Sequence, residues 1–147
     1  YEIADRDWSS DVCSSDLMTP ADYVAEVVND TVVALGYTVF VNHMPDKPDK
    51  AFCIFDHNTG RVEGRNYRSG DVDEHPAVHV LVRGTSHADA SAVLPAAWDY
   101  LKTIYRLTLS TGKIMHCITK ANTMGSLGHE PQTRRVKYSQ QFRMTLE

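Results

Sequence analysis

The chain has 147 residues, 15 Lys and Arg against 19 Asp and Glu, a formal net charge of −4 and 42% hydrophobic residues. A chain of that length makes one domain, able to bury roughly two thirds of the surface it exposes when unfolded, and no apolar run in it is long enough to cross a membrane. Without clustered Lys and Arg it is a poor candidate for gripping a nucleic-acid backbone.

The first seventeen residues stand apart. The run Asp7-Trp8-Ser9-Ser10-Asp11-Val12-Cys13-Ser14-Ser15-Asp16-Leu17 reads as a translated sequencing adapter, and Tyr1-Glu2-Ile3 matches the upstream end of the same oligonucleotide. Residues 1–17 are therefore expected to be a non-native extension, with Met18 the initiator and 18–147 a single domain. Removing Arg6 leaves 14 basic residues, and removing Glu2, Asp5, Asp7, Asp11 and Asp16 leaves 14 acidic ones, so the remainder has a formal net charge of zero. Its two cysteines, Cys53 and Cys117, both fall in expected strands and read as buried free thiols in a reducing compartment.

From Met18 the chain opens with a helix. Thr19, Pro20 and Asp22 supply an N-cap, a first-turn proline and a capping-box acid, Val24, Val27, Val28, Thr31 and Leu35 form the apolar face, and Gly36 ends it. Tyr37 to Val41 alternates as a strand, Pro45-Asp46-Lys47-Pro48-Asp49 turns, and Ala51 to Asp56 is a second strand, apolar on both faces. The segment 57–74 is different in kind. It holds three apolar residues, a basic half (Arg61, Arg65, Arg68) and an acidic half (Asp71, Asp73, Glu74), so it reads either as a solvated loop or as a protruding hairpin that pairs its charge blocks with those of a neighbour.

The stretch His75 to Leu109 organises the rest. Val78, Val80 and Val82 share one face of a strand and must be core, while Ala77, His79, Leu81 and Arg83 suit a half-covered surface. Pro76 fits only as the first residue of that strand. After Gly84, Ser86 and Asp89 have capping-box spacing, and the stripes Val93/Ala97/Tyr100/Ile104/Leu107 and Leu94/Trp98/Leu101/Tyr105 predict one long helix with a kink or break at Pro95. Lys113 to Thr119 is a strand, Ala121 to Gln132 a loop. Val136, Tyr138, Phe142, Met144 and Leu146 then mark one face of a last strand, with Gln140 the exception. This order predicts an α+β fold, two helices packed on one face of a mostly antiparallel sheet of about five strands.

Chemistry is sparse. Seven histidines raise a metal-dependent hydrolase built on His57, His75, His79 and His116, but His75 and His79 lie four apart on a strand, too far to chelate together. No Cys-x-x-Cys, His-Glu-x-x-His or phosphate-binding glycine loop is present, and no serine sits in a nucleophile elbow, so no enzyme, metal or cofactor is expected.

His75-Pro76-Ala77-Val78-His79-Val80-Leu81-Val82-Arg83-Gly84, followed by an alanine-rich helix carrying Trp98-Asp99-Tyr100-Leu101, resembles the minor capsid and tail terminator proteins of long-tailed bacteriophages. The ending is similar too: Met124-Gly125-Ser126-Leu127-Gly128-His129-Glu130, Arg134-Arg135, and the close Phe142-Arg143-Met144. The resemblance implies a structural virion protein of the tail or neck, assembled in the host cytoplasm. It would form a homo-oligomeric ring, commonly a hexamer, that caps the tail tube, meets the head connector and lets DNA pass through its lumen without specific binding. A head-completion protein of the same neck is the alternative. Subunit contacts are expected at sheet edges and at Arg61, Arg65, Arg68, Asp71, Asp73, Glu74, Arg83, Arg134 and Arg135.

Overall fold

A computed structural model of the chain describes residues 19–63 and 73–146. Helix α1 (Pro20–Ala34) leads into strands β1 (Thr38–Val41), β2 (Ala51–Glu63) and β3 (Asp73–Gly84), then helix α2 (His87–Leu101) and strands β4 (Leu107–Thr108), β5 (Ile114–Lys120), β6 (Gly125–His129) and β7 (Val136–Leu146). The strands form one sheet in the order β1-β2-β3-β7-β5-β4, with β6 also paired to β7. Every pairing is antiparallel except β1 with β2. Both helices lie on one face of this sheet, the expected α+β layering with seven strands where about five were expected.

Local chemistry sets the helix ends. The Asp22 carboxylate accepts from the Thr19 backbone N–H at 3.0 Å and from its hydroxyl at 3.1 Å, tying the first turn of α1. Ser86 Oγ accepts from the Asp89 N–H at 3.2 Å at the start of α2. The face α1 buries runs through Ala21, Val24, Val28 and Val32, while Leu35, expected in the stripe, is exposed past the helix end. Helix α2 tolerates the exposed Pro95 without a break, but it stops at Leu101, well short of the expected Leu109. The main chain turns there, with Arg106 at φ 53°, and Leu107 goes into the edge strand β4. Ile104 still reaches the core from the turn.

The core lies between helices and sheet. Val78, Val80 and Val82 of β3, Phe142, Met144 and Leu146 of β7, and Met115 and Ile118 of β5 meet Val24, Val28, Val93, Leu94 and Leu101 from the helices. Gln140, the polar break in the β7 pattern, is buried, and its Nε2 donates to the Asn122 carbonyl at 2.9 Å. Val80 is 1% exposed and Ile104 9%. Val80→Ala or Ile104→Ala is therefore expected to cost about 2 to 3 kcal/mol, read as a shift in urea midpoint at unchanged slope.

One expected loop contains a strand, and the segment read as either a loop or a hairpin has paired strands at both its ends. The segment from His57 continues β2 to Glu63 and returns as β3 from Asp73, so Pro76 is interior to β3 rather than its first residue. The β2 side carries an irregularity between His57 and Arg61 opposite it, and a Cβ on Gly60 would lie 2.9 Å from the Pro76 Cα. The bulge accommodates a proline that has no ladder donor, and the glycine lets the two backbones approach. Gly125–His129, read as loop, is β6, held by its ladder to β7 rather than by any apolar alternation. Cys53 is buried, as expected, and its thiol is pushed up to about 12 by that burial; Cys117 is exposed, because the β5 irregularity between Met115 and Cys117 turns it away from the core.

Candidate functional site

The residues singled out from the sequence fall at two places. Arg61, Asp73 and Glu74 belong to the outer part of the β2–β3 hairpin, where Arg61 pairs with His75 and Glu63 with Asp73. Arg65, Arg68 and Asp71, and the side chains of Arg61 and Asp73, lie outside the described residues. Glu74 is half-buried, in register with Val62 on one side and Leu146 on the other.

Arg83 and Arg135 come together at the opposite end of the sheet, beneath the loop joining β1 to β2. Arg83 is 2% exposed and donates through Nη2 to the Pro48 carbonyl at 2.6 Å and through Nε to the Asp49 carbonyl at 3.3 Å. Burial pushes its guanidinium down from the ordinary arginine value, helped by Arg135 nearby. Arg135 is clasped more fully. Its Nη2 lies 2.7 Å from Glu130 and 3.2 Å from Asp46, its Nη1 lies 3.3 Å from Asp49 and also donates to the Asp46 carbonyl, and Nε donates to Thr133 at 3.0 Å. The hydrogen bond it donates to Glu130 leads in holding its guanidinium above the ordinary value, against some loss to burial. Arg134, its neighbour, is exposed at φ 57°. Met44, Pro45, Asp46, Pro131 and Lys137 line an open cleft of about 560 Å³ beside the two arginines. The clasp residues Asp46, Asp49, Glu130 and Thr133 had no sequence signal beyond the short spacing of Glu130 and Arg135.

Burial alone would raise the Glu130 carboxyl, but hydrogen bonds from Arg135 and Thr133 outweigh it and hold the group below the ordinary glutamate value. A depressed carboxylate contributes stability above its unfolded pKa and loses it as pH falls through the folded one. Glu130→Gln is thus expected to lower the melting temperature near neutral pH, the difference from the parent closing as pH drops below the usual glutamate range. A difference that persists unchanged in acid would mean Glu130 contributes by packing and not by charge.

The histidines meet in pairs, His87 with His129 edge to face at 4.8 Å among them. His57 and His79 meet edge to face at 6.1 Å on the sheet face away from the helices, and the His79 imidazole is pushed down first by burial and then by His57. His75 Nδ1 lies 3.2 Å from Thr145 Oγ1 in another row. Among the described residues no three His, Cys, Asp or Glu side chains are placed to hold a metal ion. The surface carries exposed apolar side chains, Tyr105 at 81%, Leu127 at 54% and Val33 at 51%, and among the described residues β1 and β4 end the strand order.

A family model described as bacteriophage tail terminator protein matches residues 7–144. Among solved structures the chain is similar to one in the virion of a native gene transfer agent particle, at 15% identity and a TM-score of 0.58, covering 87% of this chain and 94% of that one. None of the curated proteins matches.

Proposed function

The chain belongs to the bacteriophage tail terminator family, and from that premise we propose that residues 18–147 form the subunit of a ring, commonly a hexamer, that caps the tail tube and joins it to the head connector. It is a structural virion protein, not an enzyme. The observation that carries the reading is the family match over nearly the whole chain; the chain in the gene transfer agent virion adds a similar fold.

Physically the role asks for no reacting group. A terminator binds the tube end with one face and offers no tube-like face on the other, so that polymerisation stops. Its lumen must let DNA pass without holding it, which suits a domain whose formal charge from Met18 onward is zero. Tube protein and connector are the partners this implies, and the tail or neck of the virion, after assembly in the host cytoplasm, is the location. Arg83 and Arg135 then act from beneath the surface, fixing the loop they hold, while Arg134 is exposed to a neighbour.

Native mass spectrometry of the purified protein tests the ring. The charged hairpin offers a second test: if Arg61, Arg65 and Arg68 meet Asp71, Asp73 and Glu74 of a neighbour, Arg61→Glu with Arg65→Glu and Arg68→Glu sets like charges together at every interface. Each rim pair contributes only about 0 to 1 kcal/mol, but several pairs at several interfaces should be enough to dissolve the ring at low salt. Light scattering on a sizing column reads the outcome, and assembly equal to the parent would mean that the hairpin charges close no interface.

A further inference from the structure

We infer that the cleft beside Arg83 and Arg135 seats an extended segment of a partner protein, which brings a carboxylate side chain to Arg83 and sets apolar neighbours against Met44, Pro45 and Pro131. The inference goes beyond the ring reading and does not rest on it.

The first observation is how unevenly the charges of the cleft are paired. Arg83, Arg135 and Lys137 line it against two carboxylates, Asp46 and Glu130. Arg135 takes both, its Nη2 lying 2.7 Å from Glu130 and 3.2 Å from Asp46. Lys137 has the other Glu130 oxygen at 3.6 Å. Arg83 is left with neutral acceptors only, the Pro48 and Asp49 carbonyls. Yet it is the most deeply buried of the three, at 2% exposure against 6% for Arg135 and a half-buried Lys137. A buried charge is costly unless another charge answers it, and burial, with the Arg135 charge added, already pushes this guanidinium down.

The second observation is the row in which Arg83 stands. It runs Ala51, Arg83, Lys137, Gly128 across β2, β3, β7 and β6, so the two cations face each other with no acid beside them. Like charges directly opposite are destabilising. A carboxylate entering from the cleft relieves both at once.

The third observation selects the kind of anion. The Nε–Nη2 edge, with which arginine grips an oxyanion through two bonds, is taken by the two carbonyls. The Nη1 nitrogen bonds no group among the described residues and is not sealed from the cleft that Arg83 lines. That side of the guanidinium and the Lys137 ammonium suit one carboxylate. Asp46, its side chain 93% exposed, repels a chain of phosphates. Met44, Pro45 and Pro131 supply apolar contact that a bare anion does not use, and about 560 Å³ has room for a few residues of extended chain.

Fluorescence anisotropy on the full chain tests this with a labelled, capped pentapeptide carrying glutamate between two leucines, the same peptide with glutamine in its place, and inorganic phosphate as competitor. The glutamate peptide is expected to bind about tenfold more tightly than the glutamine peptide, the difference shrinking in high salt. Arg83→Met keeps the apolar stem and should bring the two peptides together. Because Arg83 also holds the Pro48 and Asp49 carbonyls, Lys137→Glu is the second variant: it supplies a carboxylate opposite Arg83 from within the chain and should exclude the glutamate peptide while circular dichroism stays that of the parent. Equal affinity of the two peptides for the parent overturns the inference. So does phosphate that competes as well as the unlabelled glutamate peptide, which would mark a plain anion site, and so does binding that appears only after dilution to monomer, which would give the cleft to a second copy. Native mass spectrometry decides the ring reading separately.

Discussion

Phe142→Ala is expected to remove about 3 to 5 kcal/mol of stability, the largest loss from any single truncation in this core. Phe142 is 0% exposed and sits at the middle of the sheet, in register with Val78 on β3 and Lys120 on β5. Its ring stacks on Trp98 of α2 at 6.1 Å and 23°, so it links the sheet to the helix layer as well as strand to strand. Deleting the ring leaves a cavity bounded by ladders on both sides, which can collapse little, and the cost therefore includes the void as well as the lost transfer energy. Domains of this size have only about 5 to 15 kcal/mol to lose. Urea unfolding should show the midpoint falling steeply, and a loss under about 1 kcal/mol would mean the Trp98 layer closes over the gap.

Gly84→Val is expected to cost about 3 kcal/mol or more, by crowding rather than by loss. A Cβ at Gly84 would stand 2.7 Å from Tyr37 Oη and 2.8 Å from the Ala90 Cβ. Neither neighbour can give way easily. Tyr37 is 2% exposed and donates its hydroxyl to Asp89 at 3.0 Å, and Asp89 also holds Lys50 at 3.2 Å. Ala90 is fully buried in the first turns of α2. Relief requires α2 to move off the end of β3. Gly84→Ala, with the same first atom and no branches, should give a smaller loss of the same sign, and thermal unfolding of the pair measures the difference. Equal stability of both variants to the parent would show that the strand-to-helix junction is looser than these distances imply.

The valine row of β3 and the alternation of β7 could be read directly, because each strand buries one face and period-2 patterning follows from the pleat. The end of α2 could not. Ile104 keeps the helical period and is indeed buried, so the apolar pattern continued past the point where the main chain had already turned. β6 was invisible for the opposite reason: none of Gly125, Ser126, Leu127, Gly128 and His129 enters the apolar core, His129 meeting only the His87 ring at 4.8 Å, and their order comes from backbone bonds to β7. Pro76 misled because its interior place depends on a bulge in another strand, made possible by Gly60. The Arg135 clasp joins residues up to 89 positions apart, and beyond the short step to Glu130 no local spacing foretells it.

The place of β7 in the sheet bears on when the subunit can take shape. It lies between β3 and β5, yet it is synthesised after both, later than every other strand described. Until residues 136–146 have emerged, β1–β2–β3 and β4–β5 are separate pieces of sheet with no strand to join them. The sheet therefore closes late and through distant pairings, which makes folding slow relative to a helical domain of the same size. It also makes β7 the strand that joins the two halves of the sheet: without it β3 and β5 have no common neighbour.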